Sequence, residues 1–362
     1  MLRFLVLLSL IVSTTTTTTI TNKFGIGCYD DTPNSPPIKT QLEAAKLLVG
    51  NKGFVTLYLC SWRHENSSCM NTTTTTASTH DLEKLQTAYA QNLTVIARIG
   101  NPYVVRDHSD DDDFMSYKQL ANAYSRYVRS LPLPPDGVSP LYVTIGNEFN
   151  ACNEWRCSSP SSSSSSTSTT TNMTTEQMAL EVAAFSRDVA LSLISLRAAS
   201  NGRLLYAHGA LASWETSPCE CGTGASLGQG RFGLHFLSLM LERQSTLYTP
   251  FMVDWLSSHS YPFSQAPWGD HQGKAKSGLE YYLNETLLIE RSRKNVEKEE
   301  EKEKEEDVEE EKEANMTGMK VIITETGWNL KTTSNINRSN WTLLAWEKIW
   351  NNDDNVIGVT PL

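Results

Sequence analysis

The sequence predicts an α/β protein closed into a (β/α)8 TIM barrel. Three observations predict it. Short β-rich apolar runs recur eight times, and longer stretches of helical periodicity separate them. No Gly-rich phosphate loop follows the first run, as an open doubly wound sheet would usually show; "GCYDDTPNSPP" stands there instead.

The strand expectations, in order, are KFGIGCY from Lys23, GFVTLYLC from Gly53, LTVIARIG from Leu93 and LYVTIGNE from Leu141. They continue with RLLYAHGA from Arg203, FMVDWLSSHSY from Phe251, KVIITETGW from Lys320 and NVIGVTPL from Asn355. Between them lie amphipathic stretches such as PIKTQLEAAKLL, YKQLANAYSRYVRSL and TEQMALEVAAFSRDVALSLISL. The last opens with Thr174 and Gln177 at capping-box spacing, which marks a helix start. The chain stops at Leu362, inside or just after the eighth strand, so the barrel is expected with its last helix missing.

Several segments are too biased to build a core. Met1 to Val12 carries one early cation and then a short apolar run, the pattern of a secretory signal rather than of a membrane span. Residues 1–20 thus read as signal peptide and Thr-rich leader. Residues 21–362 read as one barrel domain with low-complexity insertions at 158–171 (Ser/Thr) and 294–313 (Glu/Lys), and a further Thr tract at 72–76. Sequons at Asn66, Asn71, Asn92, Asn172, Asn284, Asn315, Asn337 and Asn340 agree with secretion. So do seven cysteines, which leave one over if the rest pair; their spacing assigns no pairing. The C-x-C at Cys219 and Cys221 lacks a close Cys/His pair and argues against zinc.

Net charge is −10, but twelve acids and four lysines between Glu297 and Glu313 contribute −8 of it. The remainder is close to neutral. It offers no basic surface for nucleic acid and no broad acidic field. No later segment suits a membrane anchor, and the expected state is a monomer.

Barrel enzymes set their reactive groups at the C-terminal ends of strands. Those positions hold Arg98, Asn147 with Glu148, His208, His259 with Tyr261, and Glu325 followed by Trp328. Two glutamates, on the fourth and seventh strands, would face one mouth. A single such Glu is readily a solvated strand end. Two, each with polar or aromatic companions, fit the paired carboxylates of glycoside hydrolysis.

"GNEFN" and "ITETGWN" on those strands resemble the two signatures of the clan-A retaining glycoside hydrolases. The resemblance implies that Glu148 is acid/base, Glu325 the nucleophile and Asn147 a partner for the sugar 2-hydroxyl. "HSY" (His259, Ser260, Tyr261) resembles the His-x-Tyr of family 5 cellulase-like members, where the Tyr contacts the nucleophile. "ETGW", "YPF" and "GIGCYD" resemble family 17 β-1,3-glucanases instead. "GNEF" departs from the "GNEP" common in family 5, and "VIGVTPL" lacks the strand-eight Trp of many of its members, so both families stay open.

An ionised nucleophile needs a cationic or hydrogen-bonding neighbour, and Arg98 is the candidate; its alternative is a barrel-interior ion pair without a catalytic part. His259 suits a sugar hydroxyl or a structural bond at the mouth. His208 reads as a packed polar residue. Trp62, Trp155, Trp268 and Trp328 follow strands and could stack on pyranose faces, Trp328 foremost. The expected function is a secreted, retaining β-glycosidase acting on β-linked polysaccharide, with a β-glucan first in line and no metal or cofactor called for. A catalytically inactive glycan-binding barrel and a transglycosylase share the same residues.

Overall fold

The computed structural model describes residues 22–28, 35–60, 76–100, 117–150, 174–212, 231–243, 252–262, 278–304, 318–328 and 333–361. Its strands are β1 (Gly25–Cys28), β2 (Phe54–Leu59), β3 (Thr94–Ile99), β4 (Leu141–Ile145), β5 (Leu204–His208), β6 (Leu256–His259), β7 (Val321–Thr326) and β8 (Val356–Pro361). The helices between them are α1 (Ile38–Val49), α2 (Thr79–Ala90), α3 (Tyr117–Arg129), α4 (Thr175–Ala199), α5 (Arg231–Arg243), α6 (Tyr281–Lys304) and α7 (Asn335–Lys348). A single 3-10 turn (Trp350–Asn352) leads into β8.

Among the described residues all strand pairs are parallel. β1 to β5 form one sheet and β6 to β8 another. Two seams close them into a barrel. At one, Asp254 N–H donates to the Tyr206 carbonyl at 2.8 Å, and Tyr206 N–H donates back to the Asp254 carboxylate at 2.8 Å. At the other, Phe24 bridges Val359, whose N–H donates to Lys23 O at 2.9 Å. The (β/α)8 fold expected from the alternation is the one observed, with β8 the last described element.

Helix starts follow the sequence signals. Thr174 caps α4 with Gln177 in a reciprocal capping box, and Ser78 and Ser334 cap α2 and α7. In α3, Leu120, Tyr124, Tyr127 and Val128 line one buried stripe, at the spacing that faces a helix onto a sheet. α6 continues without a break into the Glu/Lys run as far as Lys304. The first part of that run is therefore an extension of the helix before β7, and its remainder lies outside the described residues. The leader, the Thr tract at 72–76 and the Ser/Thr tract lie outside them too. No helix among the described residues is long and apolar enough to cross a membrane.

Strand parity sorts the interior into layers, as side chains alternate across a sheet. The floor is apolar: Phe54, Ile96, Tyr142, Ala207, Trp255 and Ile322 pack together. Two residues further along come short hydroxyls. Thr56 donates to Thr360 Oγ1 at 3.1 Å, Thr360 donates to Thr324 O at 2.7 Å, and Ser257 pairs with Thr324 at 2.8 Å. Above them the side chains become charged. The outer faces of the strands and the inner faces of the helices make the larger core.

The apolar floor carries the layers above it, so its loss should be felt in stability. Phe54 is fully buried, with its ring 5.6 Å from that of Tyr142. Phe54→Ala should lower the free energy of unfolding by about 3–5 kcal/mol in urea titration. A loss below about 1 kcal/mol would mean that the floor is not packed as described.

Candidate active site

The end of β4 turns sharply. Gly146 (φ 80°) takes the left-handed conformation, and Glu148 also has positive φ (34°). A Cβ at Gly146 would strike the Phe149 ring at 2.1 Å, and one at Gly209 would strike the Gly146 carbonyl carbon at 2.6 Å. Glycine is required at both positions, because ring and backbone approach so closely. Phe149 is buried and packs edge-on against Phe185 of α4, 6.2 Å between centroids. Glu148 N–H donates to Ala210 O at 2.7 Å, and Asn150 exchanges two bonds with Ala212, at 2.8 and 2.7 Å. These contacts hold Asn147 and Glu148, both half-buried, at the mouth.

Opposite them stands Glu325 of β7. A register shift between β6 and β7 pairs Ser258 with Ile323 but His259 with Glu325, so Thr324 is the extra residue of a bulge. Arg98 of β3 forms a buried ion pair with Glu325 Oε1. Tyr58 of β2 donates to the same oxygen at 3.0 Å and also accepts from Arg98. Tyr261 donates to Oε2 at 2.7 Å. Burial alone would raise the Glu325 pKa. The attraction of His259 and Arg98 and the bonds from Tyr261 and Arg98 outweigh it and hold the carboxyl at about 2.

His259 links the two acids. Its Nδ1 lies 2.7 Å from Glu148 Oε1 and 3.8 Å from Glu325 Oε2, while Nε2 faces Arg98 Nη2 at 3.5 Å. Nδ1 donates its hydrogen to Glu148; Nε2 accepts from Arg98 only in the neutral ring, and only the protonated ring exerts the attraction on Glu325. One ligand-capable atom each from Glu148, His259 and Glu325 lies within 4.8 Å of the others. Such a triplet could in principle hold a cation. Here Arg98 already supplies the positive charge and, with Tyr58 and Tyr261, occupies both oxygens of Glu325, which opposes a metal ion.

The structure thus brings Arg98, Asn147, Glu148, His259, Tyr261 and Glu325 to one end of the barrel. Trp328 does not join them. Its indole is only 6% exposed and tilts against Trp341 of α7 at 5.6 Å, so it packs in the outer core and presents little open face. Trp62, Trp155 and Trp268 lie outside the described residues. His208 is buried, with Nδ1 2.7 Å from Gly209 O, and burial lowers its pKa to about 4 despite that bond. It is the packed polar residue expected, and burial favours its neutral form.

Tyr58 escaped the sequence reading. Strand parity was the available signal: in "GFVTLYLC" Phe54, Thr56 and Tyr58 alternate inward, and Tyr58 stands level with Arg98 across β2 and β3. The β2 backbone beside it is anchored from behind. Buried Lys84 of α2 donates to Tyr58 O at 2.8 Å, and Cys60 N–H donates to buried Asp81 at 3.3 Å.

No family model matches the chain, and no curated protein matches it in sequence. Solved structures match in fold. A family 39 glycoside hydrolase from Bacteroides cellulosilyticus superimposes with a TM-score of 0.50 at 12% identity, over 94% of this chain and 56% of that one. A GH5-4 broad-specificity endoglucanase from Clostridium longisporum gives 0.49 at 12% identity, over 94% and 86%. GH5_18 from Streptomyces cattleya gives 0.47 at 14%, over 94% and 70%. The chain spans just over half the length of the first of these, and the likeness is one of fold.

The ion pair makes a direct prediction. In Arg98→Met, Glu325 stays buried but loses its cation, so its pKa should rise to or above the ordinary carboxylate range. Carboxyl carbon shifts followed by NMR from pH 2 to pH 8 would read this. A Glu325 titration unchanged by the substitution would contradict the electrostatic account.

Proposed function

We propose that this chain is a retaining β-glycosidase acting on β-linked polysaccharide, a β-glucan first among them, by double displacement. One observation carries the reading: carboxylate oxygens of Glu148 and Glu325 lie within 4.8 Å of each other at the barrel mouth. Retaining enzymes bring their carboxyl groups to about 5–5.5 Å, whereas inverting ones leave about 6.5–9.5 Å for a water.

The roles follow from the surroundings. Glu325, kept ionised by Arg98, Tyr58 and Tyr261, attacks the anomeric carbon and forms a glycosyl ester as the glycosidic C–O bond breaks. Glu148 gives its proton to the leaving oxygen, then takes one from the water that cleaves the ester; the sugar leaves with retained configuration. His259 holds Glu148 in line for both transfers. Asn147, beside Glu148, is suited to the sugar 2-hydroxyl. These side chains and one water account for every proton and bond in the two steps. The apolar leader at Met1 to Val12 and the eight sequons support an extracellular site of action.

Azide separates the two glutamates. Glu325→Ala should lose nearly all activity, and added azide should occupy the vacated space and yield a glycosyl azide of inverted configuration. Glu148→Ala should retain activity on aryl glycosides with good leaving groups, and azide should there give the retained product. Product configuration by NMR is the readout. The opposite pattern would exchange the roles, and full activity in both variants would mean that neither glutamate takes part in the reaction.

A further inference from the structure

One buried carboxyl takes no part in the chemistry above. Glu285 lies on the inner stripe of α6, between Tyr281 and Ile289 at helical spacing, and is 2% exposed. An apolar residue would fill this position at less cost, since a buried carboxyl must find partners. Its partner is on β6: Ser258 Oγ donates to Glu285 Oε2 at 2.5 Å. Ser258 also pairs with Ser260 at 3.1 Å, and Ser260 Oγ accepts from Tyr282 N–H at 3.3 Å. Ser260 O accepts from Thr326 of β7 at 2.6 Å.

These residues bracket His259. The hydroxyls of Ser258 and Ser260 reach outward to α6, so the intervening His259 ring points inward to Glu148 and Glu325. The register shift that pairs His259 with Glu325 begins at Ser258. We propose that Glu285, through Ser258, is a positioning residue that pins β6 opposite the β7 bulge and so aims His259 at Glu148. The proposal rests on the glycosidase reading only for its kinetic consequence.

Burial raises the Glu285 pKa to about 8, against the lesser opposing effect of the Ser258 bond. Few charges among the described residues face it. β6 presents Ser258, and α6 presents Tyr281, whose hydroxyl is buried without a hydrogen-bond partner among the described residues. α5 turns Phe236, Leu237, Met240 and Leu241 inward, with His235 and Glu242 on its exposed side. Glu285 is thus neutral below about pH 8, and above it a charge develops behind β6 with no cation among these groups to meet it. The folded protein holds this proton where the unfolded chain has lost it. Stability therefore falls as pH rises from the ordinary carboxylate range to about 8, and the loss is constant above that.

The test compares wild type with Glu285→Gln, Glu285→Ala and Ser258→Ala. It follows kcat and KM against pH on an aryl β-glycoside that the wild type cleaves, and the imidazole nitrogen shifts of His259 by NMR. Glu285→Gln keeps a neutral acceptor for Ser258. Near pH 6 it should stay within about twofold of wild-type kcat, and it should carry activity about one pH unit further into the alkaline range. Glu285→Ala and Ser258→Ala should lose about tenfold or more in kcat, with KM within about threefold, and should shift the His259 nitrogens. Wild-type kcat, pH profile and His259 shifts in Glu285→Ala would overturn the proposal. A parallel loss of folding and activity in all three variants, the conservative one included, would also overturn it. If the wild type cleaves no glycoside, the glycosidase reading fails while the nitrogen shifts still decide whether Glu285 positions His259.

Discussion

The buried ion pair between Arg98 and Glu325 is the constraint on which the barrel mouth depends. A carboxylate with this little exposure is tolerated only if a charge and hydrogen bonds replace the water it has lost. Arg98 supplies the charge, and Tyr58 and Tyr261 complete the shell. Each comes from a different strand or strand end, so satisfying one carboxylate ties β2, β3, β6 and β7 together at their functional ends. His259 then extends the same network to Glu148 on the far side. The two acids, Glu325 and Glu148, are held in one frame.

The layers beneath make that frame rigid. An apolar floor, then a ring of short hydroxyls, then charge is an order of rising polarity toward the mouth, set by alternation along each strand. The hydroxyl layer lets the interior change from apolar to ionic without leaving backbone acceptors unmatched, as Thr360 does for Thr324 O. Where strict alternation would turn Glu325 away, the bulge at Thr324 restores it to the interior.

Much of this was legible in the sequence. Eight β-rich runs separated by helical periodicity specify the fold because a parallel sheet needs a covering helix at each crossover. Glu148 and Glu325 were legible because strand ends are the functional positions of such a barrel, and Arg98 because a cation in "VIARIG" has nowhere to point but inward. Tyr58 was not, since a Tyr in "TLYLC" is also an ordinary strand residue and only parity singles it out. Trp328 was read too generously: its closeness to Glu325 in sequence said nothing of the direction of its ring, which packs on Trp341. Glu285 was hidden among the other polar residues of "YYLNETLLIERSRK", where a single inward-facing acid has no compositional mark. A helical Glu/Lys run was one of the sequence's readings, and α6 does reach into it as far as Lys304; that it continues the preceding helix was not legible, because a charged run propagates a helix as readily as it forms a separate solvated insertion.

In the proposed reaction Glu325 becomes covalently bonded to sugar. The most direct measurement is to trap that ester with an activated 2-deoxy-2-fluoro-β-glycoside, which slows breakdown of the intermediate, and to locate the label by peptide mass mapping. Stoichiometric inactivation and a single glycosyl adduct on Glu325 are expected. An active enzyme that resists such reagents, or that carries the adduct on Glu148 or another residue, would contradict it.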